Sequence, residues 1–518
     1  MDHISISGWL RLRLRALVIT AAIGALAGPA SGLEQYLAVP LGSHGGTYSW
    51  GLAINNRGDI VGTAATSTGG NRAFLYSGGT MRLLGGPPSV TRSFAVSISD
   101  NGYITGEYAD SQDWDRAFLH DGSSFIDLGT LGGPWSRGRG VNTSGEVAGT
   151  SRTALDPNSR AFLFRDGTMI NLGTLGGYFS TGQGINGKGE VTGSAGTPNG
   201  GVRAFVYRDG VMADLGTLGG ERSVGIAINE RGEITGYSDT ATPPPFPTPP
   251  PYGSEHAFLH SGGLMRDLGT LGGLYSHGFA INAHGQVVGK SQTAEGAMRG
   301  FLYTDGAMHD LNALVVSGLA GTSLTDAYGI NDTGQIVANS CGRSDPYDCT
   351  AFRLEPIATP LAVEYYHTAY AHYFMTSSVT EIVGLDEGRP IGWTRTGQTF
   401  RTYPSDTPGT SNVCRFWTDQ AFAPKSSHFY TPFDWECAIV SRNRDWAYEG
   451  QVFAMKLSDT AGRCEGATIP LYRLYNDGMG GAPNHRFTTS ASLRLEMIAQ
   501  GWIPEGAGLG VIGCVPAP

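Results

Sequence analysis

Cysteine is absent from the first 340 residues of this 518-residue chain, and no two cysteines stand at CxxC spacing. That excludes a zinc ribbon or a thiol-redox centre built on a local motif. Charge is scarce as well: Lys, Arg, Asp and Glu make up 15% of the residues, without a basic run. A net charge of −10 in that form leaves no electrostatic footprint for nucleic acid or an anionic membrane. There is no G-x-S-x-G elbow, H-E-x-x-H pair, phosphate loop or EF-hand pattern, so no local catalytic motif, metal site or cofactor is implied. Beyond the N-terminal region no apolar run is long enough to span a bilayer.

The chain opens with Arg11, Arg13 and Arg15, an apolar small-residue run from Ala16 to Gly28, and then Pro29-Ala30-Ser31-Gly32. This order reads as a signal peptide over residues 1–32, cleaved near Ala30, and predicts a secreted protein, periplasmic or extracellular. Six cysteines, an even number in an exported chain, point to disulfides. Keeping each bond within one repeat selects Cys341–Cys349, Cys414–Cys437 and Cys464–Cys514 from the fifteen possible pairings.

Glycine is plentiful, at 78 residues, and it is periodic. A block of the form I-N-x-x-G, with Ser99 for the asparagine in the second copy and Val141 for the isoleucine in the third, recurs seven times, ending at Gly58, Gly102, Gly145, Gly189, Gly232, Gly285 and Gly334. The first four steps are 43 or 44 residues, the fifth is 53 because Thr242 to Pro251 inserts a proline-rich loop, and the sixth is 49. In the third copy, strands are expected over 136–142, 146–151, 160–164 and 169–172, divided by turn residues. Four hairpin-linked strands per period match propeller blades better than a parallel β-helix, whose coils are shorter. The seventh copy ends at Leu354 without a fourth strand, whereas Tyr36 to Gly42 reads as an orphan strand that would complete it. The expectation is a mainly β chain: a seven-bladed β-propeller over 33–358, closed by the N-terminal strand, then a smaller module over 359–518.

The recurring Arg/His-Ala-Phe (His256-Ala257-Phe258 is the literal form), Asp-Leu-Gly-Thr-Leu-Gly-Gly and Ile-Asn blocks resemble the HAF family of extracellular repeats. The resemblance covers residues 36 to 355 and implies an exported repeat protein with no established reaction. The sixth copy departs, with Gly300-Phe301 and no Leu-Gly-Thr-Leu-Gly-Gly after Asp310-Leu311.

After Pro360 three new units appear, each with an opening strand, a threonine-ended block, a short helix and Trp-x-x-x-Gly. The threonine blocks are His372 to Thr376, His428 to Thr431 and His485 to Thr488, the first with one extra residue. The tryptophans are Trp393, Trp446 and Trp502. This resembles a C-terminal triple-repeat module of exported bacterial proteins, marked by His-Phe-Tyr-Thr and Trp-x-x-Glu-Gly, of unassigned function. The first unit departs, with Arg395-Thr396-Gly397 where the others carry Glu449 and Glu505. Three similar units imply a pseudo-threefold, β-rich α+β domain.

Candidate binding residues follow from the columns. Arg72, Arg116, Arg160, Arg203 and Arg299, with His256, would stand at one level of a ring and form either a basic rim or pairs with the Asp127 and Asp267 column. Trp393, Trp446, Trp502 and Tyr430 could stack on sugars, and His372, His428 and His485 suit symmetric hydrogen bonding better than a metal. The expected function is a non-catalytic binding or scaffold protein for polysaccharide or envelope protein. A propeller-based hydrolase or lyase acting on an extracellular polymer, and a purely structural surface protein, are the alternatives.

Overall fold

The computed structural model describes residues 34–517 except 88–89, 155–157, 242–253, 343–347, 358–359, 387, 389, 419–425 and 480–482. The leader and the proline-rich loop lie outside the described residues. What is described is mainly β, with many small antiparallel sheets and four short helices.

The third repeat shows the plan. Its strands run Gly132–Val141, Val147–Thr153, Ser159–Arg165 and Thr168–Asn171, paired in chain order. The I-N-x-x-G block is the turn after the first strand. Asn142 Oδ1 accepts from Ser144 N and Glu146 N, both at 3.0 Å, which folds the turn. Gly145 sits at φ 76°, in the left-handed region that favours glycine. At Gly149 a Cβ would lie 2.1 Å from Arg137 O, so only glycine lets the first two strands cross so closely.

The same asparagine ties one sheet to the next. Asn142 Nδ2 donates to Asn186 O at 3.1 Å, and Asn186, Asn229 and Asn282 repeat the contact with the following sheet. The second copy has Ser99 in this column, and Asn101 Nδ2 instead reaches Thr143 O at 2.7 Å. Asn331, in the last sheet, donates to Asn55 O in the first at 2.9 Å.

The other repeated blocks interlock. Ser136 Oγ donates to Gly129 O in the Leu-Gly-Thr-Leu-Gly-Gly turn and accepts from Ala117 N of the preceding Arg-Ala-Phe, at 2.6 and 2.9 Å. Phe118, Phe162, Phe205, Phe258 and Phe301 are fully buried between sheets, so Ala-Phe supplies the core between neighbours.

The seventh repeat contributes Asp326–Ile330, Ile336–Cys341 and Cys349–Pro356. Strand Tyr36–Pro40 pairs antiparallel with Cys349–Pro356, with Ala38 opposite Leu354. On its other side it meets Val315–Ser317 in parallel. The irregular sixth repeat thus has a use: after the helix Leu311–Leu314, its end becomes an extra strand beside the N-terminal one.

From Leu361 on, three sheets each place the opening strand in the middle. The central strands are Leu361–His367, Ser411–Thr418 and Thr468–Tyr475. A common core of Val363, Tyr365, Val413, Phe453, Leu471 and Phe487 joins them, and Val316, Leu37 and Ile357 pack on it from the preceding part. Gln35 Nε2 donates to Ser377 O at 3.0 Å and Arg395 Nη1 to Val316 O at 2.8 Å across the same junction. Disulfides join Cys341 to Cys349, Cys414 to Cys437 and Cys464 to Cys514. Among the described residues no helix is long and apolar enough to cross a membrane.

Candidate functional site

The first strands of the seven repeats line a cavity of about 660 Å³. The first residue of each repeated turn block, isoleucine in six copies and valine in the third, forms its collar: Ile54, Ile98, Val141, Ile185, Ile228, Ile281 and Ile330. Two residues earlier on the same strands stand Leu52, Val96, Arg139, Gln183, Ile226, Phe279 and Tyr328, also on the cavity wall. The repeats agree at the collar, whereas at this belt no two carry the same residue: Leu52, Val96 and Ile226 are aliphatic, and Arg139, Gln183, Phe279 and Tyr328 differ in chemistry. Packing between equivalent sheets does not require such divergence, because the sheets already share their Phe, Ser and Asn contacts.

The wall concentrates aromatic and charged groups. Phe279 and Tyr328 stack with centroids 4.6 Å apart, and Trp50 meets Tyr328 edge-on at 5.6 Å. The Trp50 indole N–H is buried without a hydrogen-bond partner among the described residues. Arg139 lies 3.5 Å from Glu107. Burial pushes the Glu107 carboxyl upward in spite of Arg139 and Arg137, and burial does the same to Asp326 although Asn339 and Thr325 donate to it. These residues were missed from the sequence. Their signal was the mismatch itself, a variable position two residues before a position that is always isoleucine or valine.

The arginine column does not form a free basic rim. Arg116 pairs with Asp127 at 3.2 Å, His256 with Asp267 at 2.9 Å and Arg299 with Asp310 at 3.7 Å. Arg72 donates to Val90 O at 3.0 Å, Arg160 to Tyr178 O at 2.7 Å, and Arg203 to Glu221 O. The guanidiniums on carbonyls hold the connectors leading into the next sheet, so the column is spent on the fold.

In the C-terminal units the aromatic candidates are also engaged. Tyr430 is 2% exposed, and its hydroxyl donates to Met375 O at 2.7 Å, so it cannot reach a polysaccharide. Trp393, Trp446 and Trp502 are half-buried and lie edge-on to Phe374, Phe429 and Tyr373.

What joins the units is a set of buried ion pairs. Arg415 donates to Glu381 of the first unit at 2.8 Å and contacts Glu449 at 2.9 Å. Arg473 repeats this with Glu436 of the second unit at 3.0 Å and Glu505 at 3.1 Å. The third joint reverses the charges: Glu364 stands at the arginine position, Arg486 donates to it at 2.9 Å, and Thr396 donates to it at 2.7 Å. A glutamate at Thr396 would face Glu364, which explains why the first unit lacks one.

The histidines are not equivalent. Strand register pairs Tyr366 with Tyr373, Trp417 with His428 and Tyr475 with His485, so Tyr373 takes the histidine position and His372 stands one residue earlier. His372 Nε2 lies 3.0 Å from His428 Nδ1, and its Nδ1 lies 2.9 Å from Ser426 Oγ. His485 sits apart, 3.2 Å from Glu505. Burial holds all three imidazoles below the ordinary value of 6.5. A group with a depressed folded pKa is protonated in the unfolded chain first, so stability must fall as pH drops below about 6.5. Each such imidazole steepens the fall by at most ~1.4 kcal/mol per pH unit. Burial raises the Glu381 carboxyl, but Arg415 outweighs it, and the net depression adds a further loss below pH 4.5. Urea unfolding at pH 7.5 and 5.5 should show this slope, and His372→Asn should flatten it; an equal slope in the variant would refute the assignment.

The first part is a propeller-like array of small β-sheets, and the second a set of three salt-bridged units. Residues 360–512 match the family described as "Domain of unknown function (DUF5648)". No curated protein matches the chain. Among solved structures, the chain is similar to the β-propeller domain of the Trilobed protease from Pyrococcus furiosus, at 11% identity and TM-score 0.38, over 60% of this chain and 94% of that one. A puromycin-hydrolyzing peptidase of Mycobacterium tuberculosis is similar at 15% identity and TM-score 0.40, over 63% and 56%. An Aleuria aurantia lectin is similar at 11% identity and TM-score 0.31, over 53% and 94%.

Proposed function

We propose that this is an exported, non-catalytic binding protein in which seven blades close into a ring and hold a ligand in the axial channel. Closure is supported by strand Tyr36–Pro40 on Cys349–Pro356 and by the Asn331 to Asn55 contact between last and first repeats. The observation that carries the binding reading is the divergence of the repeats at the channel belt. A purely structural ring does not require Arg139, Gln183, Phe279 and Tyr328 to differ at equivalent positions. In this reading Trp393, Trp446 and Trp502 serve packing, and the C-terminal units brace the closing blade.

The test is a thermal-shift screen of the full chain against small glycans, peptides and metabolites. A true ligand at a hundred times its Kd adds about 2.7 kcal/mol of stability. That gain should vanish in Phe279→Ala and survive in Arg116→Leu on an outer strand. Conversion of the stabilising compound into product would overturn the non-catalytic reading, and a gain untouched by channel variants would overturn the site.

A further inference from the structure

We infer that the channel ligand is an uncharged, hydroxyl-rich chain, a neutral oligosaccharide; this rests on the channel reading above. Three features of the wall lead there. Arg139 is the one cation among its described lining residues, and it lies 3.5 Å from the Glu107 carboxylate. An anionic ligand would have to draw Arg139 away from Glu107, and a cationic one would have to compete with Arg139 for that carboxylate, and either leaves a charge unpaired.

The polar groups still unspent on the wall are neutral. The Trp50 indole N–H, the Gln183 amide and the Tyr328 hydroxyl have no hydrogen-bond partner among the described residues. Together they offer both donors and acceptors, as sugar hydroxyls require. Phe279 and Leu52 beside them give apolar surface for the C–H faces of a ring.

The acids at the mouth are already engaged. Asp100 accepts from Asn56 N at 2.8 Å, Glu230 from Gly187 N at 2.7 Å and Asp332 from Ala283 N at 2.8 Å. They knit neighbouring turns together and are not a free trap for a cation. The cavity volume lies within the range of ordinary small-molecule sites, enough for a few sugar residues.

Calorimetric titration of the full chain tests this with neutral hexasaccharides of glucose, mannose, galactose and N-acetylglucosamine, beside hexagalacturonate and hexalysine. At least one neutral hexasaccharide should bind, independently of added salt. Tyr328→Phe or Gln183→Ala should weaken it about tenfold, the effect of one lost hydrogen bond. Binding of only the charged probes, lost in the same variants, would overturn the neutral class and leave the channel as the site. Neutral-sugar binding that ignores both variants would overturn the channel reading too, and no neutral-sugar binding at all would overturn the inference.

Discussion

Replacing Arg415 by alanine should cost ~3–5 kcal/mol of stability, the range for removing one partner of a buried ion pair. Its side chain is 7% exposed and holds two carboxylates, Glu381 and Glu449. Both would lose the guanidinium that neutralises them, leaving Glu381 with the Thr376 hydroxyl and Glu449 with the His428 imidazole. A triple change, Arg415→Met with Glu381→Leu and Glu449→Gln, should recover most of the loss, because the penalty comes from uncompensated charge and not from a missing contact. Urea denaturation of the four proteins distinguishes the cases. A loss below about 1 kcal/mol in the single variant would place this network among ordinary surface pairs.

Deleting residues 34–40 should have the largest effect on the first part of the molecule. Tyr36 is fully buried and Ala38 is 6% exposed, between Val315–Ser317 and Cys349–Pro356. Removal strips both neighbouring strands of their partner and exposes open edges that invite aggregation. It also removes Gln35, which accepts from Leu361 N at 2.6 Å. The milder Tyr36→Ala is expected to cost ~3–5 kcal/mol, as for other large buried side chains. For the deletion, a fall of about 10 °C or more in Tm with growth of large species on gel filtration is expected. An unchanged Tm and a monomeric profile would show that the strand does not hold the last sheet together.

The turns were legible in the sequence because one residue does the same task in six of the seven copies, the second reaching the next sheet through Asn101 in place of Ser99. Asn142 folds its own turn and reaches the next sheet, so its column must repeat, and Gly145 must accept a positive φ. The channel wall was illegible for the opposite reason. Arg139, Gln183 and Phe279 occupy one position of the repeat but share no chemistry, and only the packing of sheets brings them to one cavity. In the C-terminal units, one extra residue before Thr376 hid the register. Side chains alternate along a strand, so His372 falls on the other face from His428 and His485. The ion-pair joints link different units and so leave no local motif. Their trace was a paired change, Glu364 for arginine together with Thr396 for glutamate.

The pairing of Tyr36–Pro40 with Cys349–Pro356 also sets an order of events during synthesis. The strand that completes the last sheet emerges before its partners at 315–317 and 349–356, which follow about 300 residues later. Until then the earlier sheets can form one by one but cannot lock, and the waiting strand remains available to other edges. A chain exported in the same direction would meet a similar delay on the far side of the membrane. Holding that strand apart until its partners arrive is a natural task for a chaperone.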